Sequence, residues 1–380
     1  MKRAIVLGVS HAQLDLIRYL KQAGWWVIGC SYRHEGRGIP LVDQFECIDI
    51  RDEAALLRLA EVVKPDLVYS VGSDFAMRSV AHVAARCGLP TFFPRETADL
   101  LAEKSEVRAL LNSKNLSPVN YLAASHESET AQWNCYPAVV KPVDSQGQRG
   151  VSLVRSRGEL IQAFHKAHGN SRQEKVIVEE FLPGPEVSVN CLVVDGQVVV
   201  VTVSDRLVAN ELGFGIPRGH VFPSVFCRDK TLVETKALAA HSIDALGVRN
   251  GPVYFQMKLT RQGPRVIEIA PRLDGCFLWK LIETTGSVDL LDATVRLLCG
   301  KKLPNLTLPL TMESQCLVFW LAQSGNVFRR QDYNAPDEAG AREFFYDDGE
   351  HVRSTNGISE KVGYCVCPAV AVEKWVRPAA

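Results

Sequence analysis

Two apolar stretches of this chain carry acids where core strands carry Val or Ile. One is Val176-Ile-Val-Glu-Glu-Phe-Leu-Pro-Gly-Pro-Glu-Val-Ser-Val189, the other Val266-Ile-Glu-Ile-Ala-Pro-Arg272. A carboxylate among buried strands costs several kcal/mol unless it is paired or ligates something. Glu179, Glu186 and Glu268 therefore point to a ligand with hydroxyls, an exocyclic amine and a metal, the groups that magnesium-bound ATP offers.

A third segment, Pro137-Ala-Val-Val-Lys-Pro-Val-Asp-Ser-Gln-Gly-Gln-Arg-Gly-Val151, reads as strand, lysine, glycine-bearing loop and strand. Gly147 and Gly150 let backbone N–H groups approach phosphates closely. Lys141 supplies a point charge for phosphate oxygens. Taken alone, the segment is equally a flexible hairpin with an exposed lysine. No GxxxxGK[ST] occurs, which excludes a Walker-type phosphate loop.

Glu179-Glu-Phe-Leu182 can act as a hinge for an adenine edge, with Phe181 and Leu182 as apolar walls. Glu186, past the Pro183-Gly-Pro185 turn, can accept two ribose hydroxyls. A charged strand edge explains Glu180 well and Glu186 poorly. Residues 251–259 and 266–272 read as paired strands around a Thr260-Arg-Gln-Gly-Pro264 turn. Gln256 and Glu268 then share a face as oxygen ligands for Mg2+. Arg272 follows at a proline-fixed turn, aimed at an anionic group.

The elements that must position these residues fall into two patterns. In the first hundred residues, strands at 4–7, 25–30, 67–71 and 91–93 alternate with helices at 11–23, 52–63 and 75–87. That alternation predicts a parallel sheet covered by helices. The first turn, Gly8-Val-Ser-His-Ala-Gln13, lacks the later glycines of a dinucleotide fingerprint, which argues against bound NAD. A helix at 97–112 leads into a strand-rich region. Strands are expected at 138–141, 151–155, 176–181, 187–194 and 198–204, and helices at 156–168 and 232–246. Asp195-Gly196 marks a two-residue hairpin turn. A Lys/Pro-rich joint at 300–309 precedes a small mixed segment with a Pro-Ala-Ala tail.

The totals set bounds. The chain has 380 residues, with 43 basic and 43 acidic side chains, which argues against a nucleic-acid surface. No uninterrupted apolar window reaches the ~18 residues of a membrane span. The N-terminal apolar run is too short for a signal peptide and reads as a first strand. Eleven scattered cysteines without CxxC spacing fit free thiols in a reducing cytoplasm.

Together these residues resemble the ATP-grasp superfamily, whose members include carboxylate–amine ligases, D-alanine ligases, biotin carboxylase and the carbamoyl-phosphate synthetase large chain. The resemblance runs over nearly the whole chain and includes the Lys104-Ser-Glu-Val-Arg108 helix and the Glu-X-X-Pro-Arg element. It implies an α/β and α+β fold. A Rossmann-like pre-ATP-grasp domain (1–98) would precede a two-lobed ATP-grasp domain (99–302), with 113–183 as the smaller lobe. Residues 303–380 would form a mixed α/β appendage. It also implies that Lys104 and Lys141 hold the phosphates of ATP and that the loop from Ser145 through Gly147 to Gly150 closes over them. Glu179, Glu180, Phe181 and Leu182 would hold adenine, Glu186 the ribose, and Gln256 and Glu268 the Mg2+. Arg272 and Lys141 would be the catalytic cations. Arg206 and His220 would line the acceptor side, although for His220 a turn histidine satisfied by backbone is an equal reading.

Two departures stand out. Ala270 occupies the position where the family usually carries Asn, and Gln256 one where many relatives have a carboxylate. Asp274 is a candidate to compensate. The implied reaction activates a small-molecule carboxylate as an acylphosphate for attack by an amine or other nucleophile. A small-molecule kinase on the same scaffold and a nucleotide-binding protein without turnover are the alternatives. No nucleic-acid or membrane partner is expected, and homodimerisation stays open.

Overall fold

The computed structural model describes residues 1–209, 214–286, 288–309, 312–336, 339–354 and 359–372. The first unit is built from β1 (Arg3–Leu7), α1 (Leu14–Gln22), β2 (Trp26–Cys30), β3 (Gln44–Glu46), α2 (Glu53–Val63), β4 (Leu67–Tyr69) and α3 (Asp74–Cys87). Its strands lie in the order β3-β2-β1-β4 and are all parallel. Ala4 to Leu7 and Leu67 to Tyr69 are buried without interruption, as strands covered on both faces must be.

Two expectations are corrected here. Residues 91–93 form no strand. Phe92 instead packs edge-on against Tyr69, and a Cβ at Gly251 would meet its ring at 2.5 Å. The helix expected at 97–112 is two helices, α4 (Arg95–Ala102) and α5 (Lys104–Ser113). Glu103 is extended between them, and its carboxylate accepts from the N–H and Oγ of Ser105. That cap turns the chain and sets Lys104 and Arg108 one turn apart on a new helix.

A small antiparallel sheet follows. It contains β5 (Tyr121–Ala124), β6 (Ala138–Pro142), β7 (Ser152–Val154) and β8 (Val176–Glu180), in the order β5-β8-β6-β7. Helix α6 (Arg157–His168) buries Leu160, Ala163, Phe164 and Ala167 against it, giving this lobe its own core.

The large sheet begins with β9 (Glu186–Val194), β10 (Gln197–Val208) and β11 (Pro217–Phe222). After α7 (Asp229–Ala245) come β12 (Gly251–Thr260) and β13 (Gly263–Ala270). Asp195 and Gly196 both have positive φ in the β9–β10 turn, the conformation that an Asp-Gly pair favours. Helices α8 (Leu278–Thr284) and α9 (Leu290–Leu298) pack beside β14 (Gln315–Gln323), β15 (Ala341–Phe344) and β16 (Ser359–Pro368). The strand order is β13-β12-β9-β10-β11-β14-β16-β15, antiparallel throughout. The segment after residue 303 thus extends the sheet that carries Glu186 and Glu268. Its Cys316, Leu317 and Val366 share one core with Val6, Leu16 and Trp279. The Pro-Ala-Ala tail lies outside the described residues. Among the described residues no helix is long and apolar enough to cross a membrane.

Candidate active site

The small sheet and the β12–β13 edge of the large sheet face one another across a cleft. Lys104, Lys141, Ser145 and Gly147 line it together with Glu179, Glu180, Phe181 and Leu182. Glu186, Gln256 and Glu268 complete the same wall. These residues come from four separate stretches of sequence. Gly150 stands off the lining, because a Cβ there would meet Pro142 and Asn170. At Gly147, with φ +71°, a Cβ would meet nothing within 4 Å among the described residues.

Charges in the cleft are tightly matched. Glu179 on β8 is buried between Arg108 Nε at 2.7 Å and Lys141 Nζ at 2.6 Å. Burial alone would raise its carboxyl, but Arg108 and Lys141 outweigh that and hold it at about 2. Arg108 Nη2 also donates to the Val266 carbonyl at 2.7 Å, tying α5 to β13. Lys104 Nζ donates to the Ser145 carbonyl at 2.6 Å and lies 3.2 Å from Glu268. The loop is pinned further where Gln146 Oε1 accepts from the Asp74 N–H at 2.9 Å. Glu180 turns its carboxylate onto Asn120, accepting from its N–H and Nδ2 at 2.9 and 3.1 Å.

Gln256 and Glu268 stand directly opposite one another in the β12–β13 register. Gln256 Nε2 donates to Glu186 at 2.8 Å, which leaves its Oε1 as an acceptor beside Glu268. Glu186 also faces Lys258 Nζ at 3.2 Å and Arg206 Nε at 3.3 Å. Arg272 grips Asp74 of the first unit through two bonds of 2.6 and 2.7 Å. Burial opposes ionisation of Asp74, and Arg272 overcomes it, holding that carboxyl below its usual range.

A second cavity of about 390 Å³ adjoins the cleft. The two share Gln146, Gly147, Gln148, Gln256 and Glu268. Arg206 and Arg272 line this cavity, together with Cys276 and Lys361. His220 does not: it is fully buried on β11, in register with Arg206, and among the described residues neither ring nitrogen has a partner at close hydrogen-bond geometry, the Asp205 backbone being its one polar contact. Burial, then Arg206, lowers its pKa to about 3, so it is neutral. Asp274, the candidate to stand in for the missing Asn, lines this cavity with Gln256 and Glu268. Its oxygens accept from the N–H groups of Cys276 at 2.7 Å and Leu278 at 3.0 Å.

Several residues in the site were not singled out from sequence. Arg108 had a signal, four residues after Lys104 on one helix. Lys258 had one too, two residues after Gln256 on the same strand face. Asp74 and Lys361 had none, since their partners lie far away in sequence.

The ATP-grasp domain family matches residues 134–278. The chain is 26% identical over 189 residues to a formate-dependent phosphoribosylglycinamide formyltransferase of Prochlorococcus marinus, covering 48% of each protein. It is 26% identical over 174 residues to dapdiamide A synthase of Enterobacter agglomerans, covering 43% of this chain and 40% of that one. The chain thus spans about half the length of these curated relatives. The crystal structure of an L-amino acid ligase from Bacillus licheniformis superposes with a TM-score of 0.79 at 20% identity, covering 97% of this chain and 93% of that one. An N5-carboxyaminoimidazole synthetase from Staphylococcus aureus, crystallised with ADP, gives a TM-score of 0.78 at 16% identity, covering 99% and 96%. At those identities the two structures speak for the fold. The domain match spans the strands that carry Lys141, Glu179 and Glu268, so this stretch of the chain is similar to the ATP-grasp domain and the solved structures share its fold.

Proposed function

We propose that this protein is an ATP-dependent ligase that activates a small-molecule carboxylate as an acylphosphate and passes the acyl group to an amine. The observation that carries the reading is the junction of the two cavities at the glycine loop and the Gln256–Glu268 pair. Such a junction lets a phosphate chain in the cleft end beside an acid in the second cavity. A sequence relative is named a synthase, and proteins of the same fold are named a ligase and a synthetase.

In this reading an acid oxygen attacks the γ-phosphorus and ADP leaves; the amine then attacks the acyl carbon and phosphate leaves. Phosphoryl transfer asks the protein for position and charge more than for covalent chemistry. Lys104 and Lys141 hold phosphate oxygens, and Arg272, fixed by Asp74, neutralises the transferring group or the acid. Phe181 and Leu182 give adenine its apolar walls, and Glu186 faces the ribose. Gln256 Oε1 and the Glu268 carboxylate are hard oxygen donors on one face, a set that fits Mg2+. Bound there, the ion would neutralise phosphate charge. The divisions 1–98 and 99–302 serve as working domains, with 303–380 joined to them through the large sheet and the shared core, and all eleven cysteines being unpaired supports a reducing cytoplasm.

The test is release of ADP and phosphate across a panel of acids and amines with magnesium, with the amide identified by mass. A stable phosphorylated product without amine would favour a kinase. Nucleotide binding with no turnover would favour a binding protein, a reading motivated by the buried Ala270.

A further inference from the structure

We propose that Cys276 is a covalent-modification site, a cavity-facing thiol that captures small, soft carbon electrophiles and in doing so closes the second cavity. What the capture would stop rests on the ligase reading; the thiol chemistry stands without it.

The sulfur accepts from two cations. Lys361 Nζ lies 3.1 Å from Sγ and Arg206 Nη1 lies 3.9 Å from it. Ammonium and guanidinium groups have donors and no acceptor, so the sulfur is the receiving atom in both contacts. Charge-assisted contacts of this kind favour the thiolate, the nucleophilic form. Lys361 is itself held, its Nζ 4.0 Å from the centre of the Phe319 ring. Burial raises the thiols of Cys30 and Cys191 to about 12. For Cys276 burial acts the same way, but Lys361 and Arg206 outweigh it and pull the thiol below its ordinary range.

The thiol can also be reached, because Cys276 lines the 390 Å³ cavity with Arg206, Arg272 and Lys361. A separate observation points to a bound group. The ligating atoms of His220, Asp274 and Cys276 lie within 4.8 Å of one another. His220, fully buried, brings into that cluster two ring nitrogens that among the described residues have no partner at close hydrogen-bond geometry, the Asp205 backbone acting on the ring only weakly. A poorly paired buried polar ring is costly. Its N–H suits the carbonyl oxygen of an adduct on the sulfur. A divalent cation would use the same three ligand types. Two fixed positive charges against the sulfur oppose that choice.

The step balances simply. The thiolate pair forms an S–C bond as the carbon–halogen bond of a haloacetamide breaks, and halide leaves with the bonding electrons. The groups facing Cys276 are Arg206 from β10, His220 from β11, Tyr254 from β12, Asp274 from its own loop and Lys361 from β16. Burial raises Asp274 to about 6, so its negative charge opposes the thiolate above that pH and fades below it.

The experiment is iodoacetamide labelling of the whole protein from about pH 6 to about pH 9, with adducts mapped by mass spectrometry. At neutral pH, Cys276 should label about 5-fold or more faster than the exposed Cys47, with an inflection below that of an ordinary thiol. Lys361→Met should remove that advantage, and Lys361→Arg should keep it. Labelling no faster than Cys47, or loss in both Lys361 variants alike, overturns the proposal. The alkylated protein should still bind ATP by calorimetry, because Cys276 is outside the nucleotide lining, and should lose acid-dependent phosphate release. Undiminished release overturns the closing of the cavity. Failure of the unmodified protein to bind ATP counts against the ligase reading and leaves the labelling result intact.

Discussion

Two buried polar clusters, one at the cleft and one at the second cavity, differ in how completely they are satisfied. Around Glu179, one carboxylate meets two cations at hydrogen-bond distance, and Arg108 finishes its bonding on a carbonyl. Around Cys276, a thiol meets Arg206 and Lys361, while among the described residues the buried His220 has no partner at close hydrogen-bond geometry. The first cluster is closed and serves position. The second is left incomplete, which is costly for folding and useful for chemistry.

The largest expected effect tests the closed cluster. Glu179→Gln strands two buried cations and should cost about 3–5 kcal/mol, read as a lower denaturation midpoint at unchanged slope. A loss under about 1 kcal/mol, an ordinary substitution effect, would break the contrast. Next comes the cavity shared with the open cluster. Arg272→Ala should lower phosphate release about 10²–10³-fold while nucleotide binding survives, since Arg272 is outside the nucleotide lining. An equal loss of both would assign Arg272 to nucleotide holding.

The clusters should also respond to pH with opposite signs. Glu179 sits at about 2, below its ordinary 4.5, so its stabilisation is complete above 4.5 and is lost as pH falls toward 2. Asp274 sits at about 6, above its ordinary 3.8, so the folded state binds its proton more tightly. Stability should therefore fall as pH rises from 3.8 to about 6, and Asp274→Asn should flatten that stretch of the stability curve. A slope surviving in Asp274→Asn would move its source elsewhere. The smallest effect is expected at the rim. Glu180→Gln touches a carboxylate spent on Asn120 and should change stability by no more than about 0.5 kcal/mol. A large drop in ATP affinity there would show that the Glu180 carboxylate itself holds the nucleotide.

What was legible in the sequence follows from locality. The hairpin of Gln256 and Glu268 could be read from its tight turn. The Asp195-Gly196 turn was readable for the same reason. The direct pairing of Gln256 with Glu268 was not legible: the turn alone would set Gln256 against Ile267, and a bulge between Gln256 and Met257 moves it to Glu268. Nor were contacts across long separations. Arg108 meets Glu179 over 71 residues, and Asp74 meets Arg272 over 198. The break at Glu103 depends on a cap that competes with an otherwise helical pattern. Strand β14, Gln-Cys-Leu-Val-Phe-Trp-Leu-Ala-Gln, is an apolar run without alternation, so periodicity could not place it in the large sheet.

The separate core of the small lobe has a mechanical consequence. Residues 121–180 join the rest through 114–120 and 181–185, two short crossings at one end. Glu179 lies at that end, fastened to α5 and, through Arg108, to β13. A body attached in this way should swing about an ionic pivot, its glycine tip leaving the floor once Lys104 and Asp74 release Ser145 and Gln146. Amide exchange should then show β5 to β8 and α6 opening and protecting as one block, and piecemeal exchange within that block would speak against a rigid swing.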